Sequence, residues 1–180
     1  MSQQKAIPQL LQMLLVGLAG ESPQTQSCAI RALIFNMKQT ILAESMVRAH
    51  RTDVVEDEGA VKIKDKLSSK DPQMQDFLRK VTRIVALFLK DQTAPKELHK
   101  SVLKFLKVVI TFLSFGEGAK ELCELILSHV FSLPDSAKYT MVIRRILNKL
   151  IARVGVATVL DCTVKEHHKL IHYIERLRRK

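Results

Sequence analysis

The 180-residue sequence has no tryptophan, two tyrosines and three cysteines. A core rich in aromatic residues and a fold held together by disulfides are therefore disfavoured. With few aromatics, the hydrophobic core must be built mainly from Leu, Ile and Val. Cys28, Cys123 and Cys162 are widely spaced and form no C-x-x-C pair, which favours a reducing compartment over a disulfide framework. No apolar run reaches the ~18–20 residues of a membrane-spanning helix, so no such helix is expected.

The six glycines and five prolines fall mostly between periodic segments, and helix-forming residues dominate the rest. An apolar fraction of 47% is ordinary for a globular protein. A chain of this length can bury about 70% of its unfolded surface as one domain. The sequence therefore predicts a single all-α domain over residues 1–180.

Apolar residues recurring at three- and four-residue steps predict seven helices. The predicted ranges are Pro8–Ala19, Pro23–Val47, Pro72–Leu89, Pro95–Phe115, Gly118–Phe131, Asp135–Val154 and a basic C-terminal helix within 163–180.

Local signals predict where some of these helices begin. Ser22 and Pro23 are typical of an N-cap and a first helical position. Thr163 and Glu166 match a capping box, and Val156–Leu160 is predicted to be a short turn before it. Residues 49–71 are the least periodic part of the chain and are predicted to form a mobile insertion.

The predicted helices fall into pairs with short internal connections. The second and third pairs begin about 44 residues apart, within the ~40–47 residues of HEAT-type repeats. A pair cannot cover its own apolar face and must stack on a neighbour. We therefore expect a HEAT-like α-solenoid of antiparallel helix pairs in preference to a four-helix bundle.

The chain is strongly basic, with a formal net charge of +11 and a pI near 9.8. Over residues 138–180, eleven Lys and Arg stand against three acids, yet an apolar stripe runs through the same stretch. It is therefore predicted to be folded structure that displays cations. Such a charge favours nucleic acid, an acidic protein surface or an anionic membrane as partner. No membrane partner is expected, because the C-terminal helix is predicted to cap the solenoid with Leu170, Ile174 and Leu177.

On the predicted helices, basic residues recur at steps of three, four or seven and so form rows along one helix face. Like charges stacked at i,i+4 destabilise an isolated helix by ~0.2–0.5 kcal/mol per pair. Because the second helix of each HEAT pair lines the inner surface, the rows could form one cationic groove; plain solvation of amphipathic helices is the alternative. The candidate polyanion-binding residues are Lys96, Lys100, Lys104, Lys107, Lys138, Arg145, Lys149, Arg153, Lys165, Lys169, Arg176, Arg179 and Lys180.

Such a groove would contact phosphates and would be largely blind to base sequence. Exposed aromatics for base stacking are scarce, and Tyr173 is the one candidate. The sequence therefore favours recognition of the RNA backbone or shape over base readout.

Residues suited to catalysis or metal binding are sparse. His168 and His172 have an i,i+4 spacing that can bind zinc, and His167 and Cys162 lie nearby. There is, however, no intervening Glu as in H-E-x-x-H and no second ligand pair. Half-buried or phosphate-facing histidines are the favoured interpretation. No phosphate-binding loop or nucleophile motif occurs, so no enzyme and no cofactor are expected.

The region from Lys96 to Lys180 resembles the C-terminal part of the ribosomal-RNA-processing protein twelve family, which are large HEAT-repeat ribosome-assembly factors. The similarity lies in a lysine-containing helix, a basic helix ending in glycine, a His-His-basic helix start and a terminal basic run, with a fainter similarity at an earlier helix end. These segments are Lys100–Val109, Met141–Gly155, Lys165–Ile174, Glu175–Lys180 and Leu14–Gly20.

The resemblance implies a nuclear and nucleolar factor that binds the precursor of the small ribosomal subunit. It implies roles in ribosomal RNA maturation and in export of pre-ribosomal particles, with contacts to the export machinery and shuttling to the cytoplasm. Family members are far longer, so the chain is expected to be a fragment or a reduced relative. The alternative function is a transport-receptor-like HEAT scaffold that binds protein partners through apolar seams.

Overall fold

The computed structural model describes residue 12 and residues 15–52, 72–116 and 118–179. Within these ranges the chain is helical and contains no strand, which confirms the all-α prediction there. The helices are α1 Pro23–Thr52, α2 Pro72–Leu87, α3 Lys96–Phe112, α4 Ala119–Phe131, α5 Thr140–Val154, α6 Val156–Asp161 and α7 His168–Arg179. Single 3-10 turns, Ser136–Tyr139 and Lys165–His167, precede α5 and α7.

The N-terminal third differs from prediction at its boundaries. Most of the predicted helix Pro8–Ala19 lies outside the described residues, although residues 15–19 are helical. The next helix begins at Pro23 as predicted but continues to Thr52, so residues 49–52 are helical and do not begin the insertion. The remainder of the predicted insertion, 53–71, lies outside the described residues.

The predicted capping box at Thr163 is wrong. The Thr163 hydroxyl donates back to the carbonyl oxygen of Val159 at 2.5 Å, a local bond that competes with N-capping. Val164 instead precedes the 3-10 turn in an extended conformation without a side-chain cap. The stretch predicted as a turn after Gly155 is helix α6; Gly155 has φ of 85°, which lets the chain turn sharply between α5 and α6.

The helices pack in two rows. In the first row α1 contacts α3, α3 contacts α5, and α5 contacts α7; in the second row α2 contacts α4, and α4 contacts α6. Contacts between α2 and α3, and between α4 and α5, join the rows. The shared core is formed mostly by aliphatic side chains, as composition predicted, and Leu106, Ile110, Ile126, Ile146 and Leu147 are fully buried within it.

Helices α3 and α5 run in the same direction. The Lys149 ammonium donates to the carbonyl oxygen of Lys107, and the Arg153 guanidinium donates to that of Leu113. The residue numbers of the two partners therefore increase together, as they do only between parallel helices. This is the orientation expected for equivalent helices of successive repeats.

Helices α1 and α3 run in opposite directions. The hydroxyls of Ser27 and Ser101 lie 2.8 Å apart, and Arg31 lies 3.8 Å from Glu97, so moving forward on α1 means moving backward on α3. The first row therefore changes direction between α1 and α3, whereas α3 and α5 are parallel.

Candidate polyanion-binding surface

Five cations lie along the outward sides of α3, α5 and α7, and we call this set the cationic row: Lys104, Lys107, Arg145, Lys169 and Arg176. Lys107 is half-buried and the other four are exposed. Among the described residues, none of the five forms an ion pair with a carboxylate. Because α3, α5 and α7 are consecutive neighbours, the five charges lie on adjacent helices of the first row.

Two further candidates, Lys96 and Lys165, are exposed and likewise have no ion pair within the described part of the chain. Lys96 stands at the start of α3, where its charge helps to lower the pKa of Asp135. Lys165 lies in the 3-10 turn before α7. Lys180 lies outside the described residues.

Three candidate cations are matched by local carboxylates. The Lys100 ammonium lies 2.8 Å from Glu97, which raises the pKa of Lys100. Lys138 pairs with Asp135, and Arg179 lies 2.5 Å from the carboxylate of Glu175. These pairs are exposed and contribute little stability, but they reduce the charge available to a partner.

Lys149 and Arg153 bond to the C-terminal end of α3. The Lys149 ammonium donates to the Lys107 carbonyl oxygen at 2.8 Å and to the Thr111 hydroxyl at 2.6 Å, and the Arg153 guanidinium donates to the Leu113 carbonyl oxygen at 2.7 Å. The C-terminal end of a helix carries partial negative charge, which favours cations there. Both side chains therefore act as structural links between α5 and α3, with their charges at the edge of the cationic row.

The end of α3 consequently gathers positive charge. Burial lowers the pKa of Lys149, and repulsion from Lys107 and Arg153 lowers it further. Each of these interactions disfavours the protonated amine, and the α3 carbonyls offset only part of the cost. A bound anion would relieve this repulsion.

Arg144 and Tyr173 connect α5 to α7. The guanidinium carbon of Arg144 lies 5.5 Å from the centroid of the Tyr173 ring, within cation–π distance. Sequence reasoning did not include Arg144 among the candidates, because its partner lies on another helix. Arg31 was missed for the same reason, since only the packing of α1 on α3 brings it to Glu97.

The histidines near α7 have structural contacts. His167 stacks on Phe131 with ring centroids 3.7 Å apart, and a ring nitrogen of His168 lies 2.9 Å from the Thr163 carbonyl oxygen. His172 approaches Glu175 at 4.0 Å. In the ranges that the structure describes, no group of three or more His, Cys, Asp or Glu is placed to hold a metal ion.

An open cleft of about 570 Å³ lies between α4 and the end of α6, and its lining includes Glu121, Glu124 and Asp161. Its charge is opposite to that of the cationic row. Burial raises the pKa of Cys162 on its wall, and of Cys123 behind it. Both thiols are therefore protonated near neutral pH and are poor nucleophiles.

No described helix has the length and apolar content required to cross a bilayer. Comparisons with protein-family models, with curated proteins and with solved structures found no match to this chain. The resemblance between Lys96–Lys180 and the ribosomal-RNA-processing protein twelve family therefore stays a prediction.

Proposed function

We propose that this chain is a non-catalytic, HEAT-like ribosome-assembly factor that binds the RNA backbone of the small-subunit precursor through the cationic row. The function belongs to the nucleus and nucleolus, in ribosomal RNA maturation and in export of the pre-ribosomal particle. Export would bring contacts with the export machinery and shuttling to the cytoplasm. The choice of ribosomal RNA among polyanions rests on the sequence resemblance; the binding of a polyanion rests on charge and geometry.

The observation that carries the proposal is that five cations without an ion pair in the described part of the chain lie on three neighbouring helices. Lys100, Lys138 and Arg179 each pair with a carboxylate on their own segment. Ordinary solvated surfaces mix charges in that way. A run of unmatched cations over three neighbouring helices offers an extended contact surface for phosphates.

The packing of the helices supports the HEAT-like interpretation of the fold. The odd-numbered helices stack in one row and the even-numbered helices in another, and α3 and α5 run in the same direction. Such stacking gives an elongated surface in which equivalent helices repeat side by side. The cations of α3, α5 and α7 are then presented on neighbouring helices, where a nucleic acid strand can contact them with successive phosphates.

The test is charge reversal with a matched control. The row variant carries Lys104→Glu, Arg145→Glu and Lys169→Glu. The control carries Arg83→Glu, Lys90→Glu and Lys120→Glu, which are exposed cations of the second row and its connection, so both variants lose the same charge. Binding to fluorescent pre-ribosomal RNA transcripts is measured by anisotropy over a KCl series.

We expect the row variant to lose at least roughly 100-fold in affinity at low salt. The slope of log K against log salt should fall by about 2–3, because each lost phosphate contact contributes about 0.7–0.9. The control should stay close to the unmodified chain. Equal loss in both variants would show that only overall charge matters and would contradict the proposal.

A protein-binding scaffold is the second candidate function. It is favoured by Ile84 and Leu87, whose apolar side chains are exposed on α2, away from the cationic row. In that case, capture of small-subunit assembly proteins should survive high salt and be lost after Ile84→Ser and Leu87→Ser. The row variant described above should then bind such proteins normally.

A further inference from the structure

Two exposed aromatic side chains lie on the first row, Phe35 on α1 and Tyr173 on α7. Of the two, Tyr173 lies on a helix that carries members of the cationic row. Tyr173 is 42% exposed, whereas the other tyrosine, Tyr139, is buried and packs edge-on against His99. Arg144 approaches the Tyr173 ring from α5. The ring therefore lies at the seam between α5 and α7 and still presents surface to a ligand.

Cations border this ring on its own helix. Lys169 and Arg176 lie four residues before and three residues after Tyr173, so all three share a face of α7, with Cβ atoms of such neighbours about 5–6 Å apart. Both cations are exposed and belong to the cationic row. A flat apolar ring is thus flanked by two groups that bind phosphate.

We propose that Tyr173 stacks on an unpaired base of single-stranded RNA while Lys169 and Arg176 contact the adjoining phosphates. The inference rests on the proposed function, and it adds a preference for single-stranded RNA that backbone contacts alone would not give. Stacking on an aromatic ring is tolerant of base identity, because every base has a π-face.

The surroundings of Tyr173 favour RNA over a protein partner. The cores of protein interfaces are enriched in tyrosine and arginine but depleted of lysine, so Lys169 beside Tyr173 is not typical of such a core. Lys169 and Arg176 lie within about one helical turn of Tyr173, and Arg144 lies across the seam on α5. A protein partner would have to place a carboxylate near each of these three cations. A nucleic acid strand supplies one phosphate with every base, so its chemistry matches a ring among cations.

The experiment uses the full chain and an oligouridine of about 20 nucleotides, with two probes for comparison: an RNA duplex and an abasic oligomer of the same length. Tyr173→Ala removes the ring and Tyr173→Phe keeps it. Leu177→Ala is the matched control, because Leu177 is 54% exposed one turn further along α7. Circular dichroism and thermal unfolding confirm that each variant is folded.

For Tyr173→Ala we expect a loss of roughly five- to a hundred-fold in affinity for oligouridine, the range found for one base–aromatic stack. Affinity for the duplex and the abasic oligomer should not change, and the salt slope should stay the same because no cation is lost. Tyr173→Phe and Leu177→Ala should bind like the unmodified chain.

Tyrosine fluorescence gives a second, direct measurement. Because the chain has no tryptophan and only two tyrosines, Tyr139→Phe leaves Tyr173 as the single emitter. Stacking with a base should quench this emission as oligouridine is added, and the abasic oligomer should not. Tyr173→Phe, in which Tyr139 alone emits, corrects for absorption by the RNA.

Three results would overturn the inference. One is that Tyr173→Ala binds oligouridine as well as the unmodified chain does, and another is that it loses equal affinity for all three probes. The third is that Tyr173→Ala keeps RNA affinity but abolishes capture of an acidic small-subunit assembly protein, which would assign the patch to a protein. Failure of the unmodified chain to bind any of the RNA probes would instead contradict the proposed function itself.

Discussion

The ammonium group of Lys149 on α5 lies 2.8 Å from the carbonyl oxygen of Lys107 on α3, so one lysine bonds to the backbone of another across the helix interface. The same ammonium donates to Thr111, one turn further along α3. This contact sets the register of two parallel helices at the point where α3 ends. It also shows that a basic residue on a helix face with other cations can have a structural role.

The first prediction concerns Lys149→Met, which keeps much of the apolar stem and removes both hydrogen bonds. We expect the free energy of unfolding to fall by about 1–2 kcal/mol, at the lower end of the range for charged hydrogen bonds, because the side chain is half-exposed and relief of repulsion offsets part of the loss. Urea unfolding followed by circular dichroism measures it. Arg145→Met, on the exposed side of α5, should change stability by less than about 0.5 kcal/mol.

Helix α5, which carries Lys149, shows which features the sequence predicts and which depend on helix packing. The stripe Ile143, Ile146, Leu147 and Leu150 was predicted from periodicity and is buried, because periodicity reports which side of a helix faces the core. Arg145 and Lys149 lie one turn apart and looked equivalent. Only the packing of α5 on α3 separates them, leaving Arg145 in solvent and directing Lys149 to the end of α3.

The same limit applies to α6 and to Thr163. Helix α6 has six residues, too few for a periodic pattern to be recognised. The Thr163 motif fits a capping box in sequence, yet its hydroxyl donates to a carbonyl of the preceding helix. The sequence motif does not show whether the hydroxyl accepts from a following N–H or donates to a preceding carbonyl. The direction of α1 against α3 was equally beyond prediction, since residues 53–71 separate α1 from α2 in the sequence.

The second prediction is a pH dependence at Asp135. Its bond with Lys138 holds the pKa of Asp135 below its ordinary value of 3.8, so the ionised carboxylate stabilises the folded state. This contribution is complete above the ordinary pKa and is lost as the pH falls through the folded pKa. Asp135→Asn should therefore be less stable than the unmodified chain at about pH 6, and the difference should shrink toward about pH 2–3.

Asparagine is the suitable replacement because Asp135 has φ of 55°, a left-handed conformation that Asn also tolerates. Chemical unfolding at a series of pH values gives the comparison. Lys138→Met should show the same trend, because it removes the partner cation. A stability difference that stays constant across the pH series would mean that backbone conformation, and not the ion pair, is responsible.

The third prediction separates backbone strain from steric contact at the glycine between α5 and α6. Gly155 has φ of 85° and ψ of 159°, and a Cβ atom there would meet no atom within 4 Å. Gly155→Ala should nevertheless destabilise the fold by about 1–3 kcal/mol, the cost of forcing a non-glycine residue into this conformation. Gly116→Ala, also in open space but without a positive φ, should have little effect in the same thermal-unfolding assay.

The fourth prediction tests the contact that joins α1 to α3. The hydroxyls of Ser27 and Ser101 are both buried and lie 2.8 Å apart. Removing one should leave the other without its partner and cost about 1–2 kcal/mol, whereas removing both should cost much less than twice that, because no hydroxyl is then left unpaired. The double-mutant cycle of Ser27→Ala and Ser101→Ala, measured by urea unfolding, should therefore give a clear coupling energy.

The size of that coupling distinguishes two arrangements of the N-terminal helix. If α1 packs along α3 in the direction opposite to it, Ser27 and Ser101 must meet, and Arg31 must meet Glu97 one turn away. The serine pair should then couple by about 0.5 kcal/mol or more, the lower limit for residues in contact. Additive effects of the two serine substitutions would show that α1 lies elsewhere in solution, and that the first row of helices begins at α3.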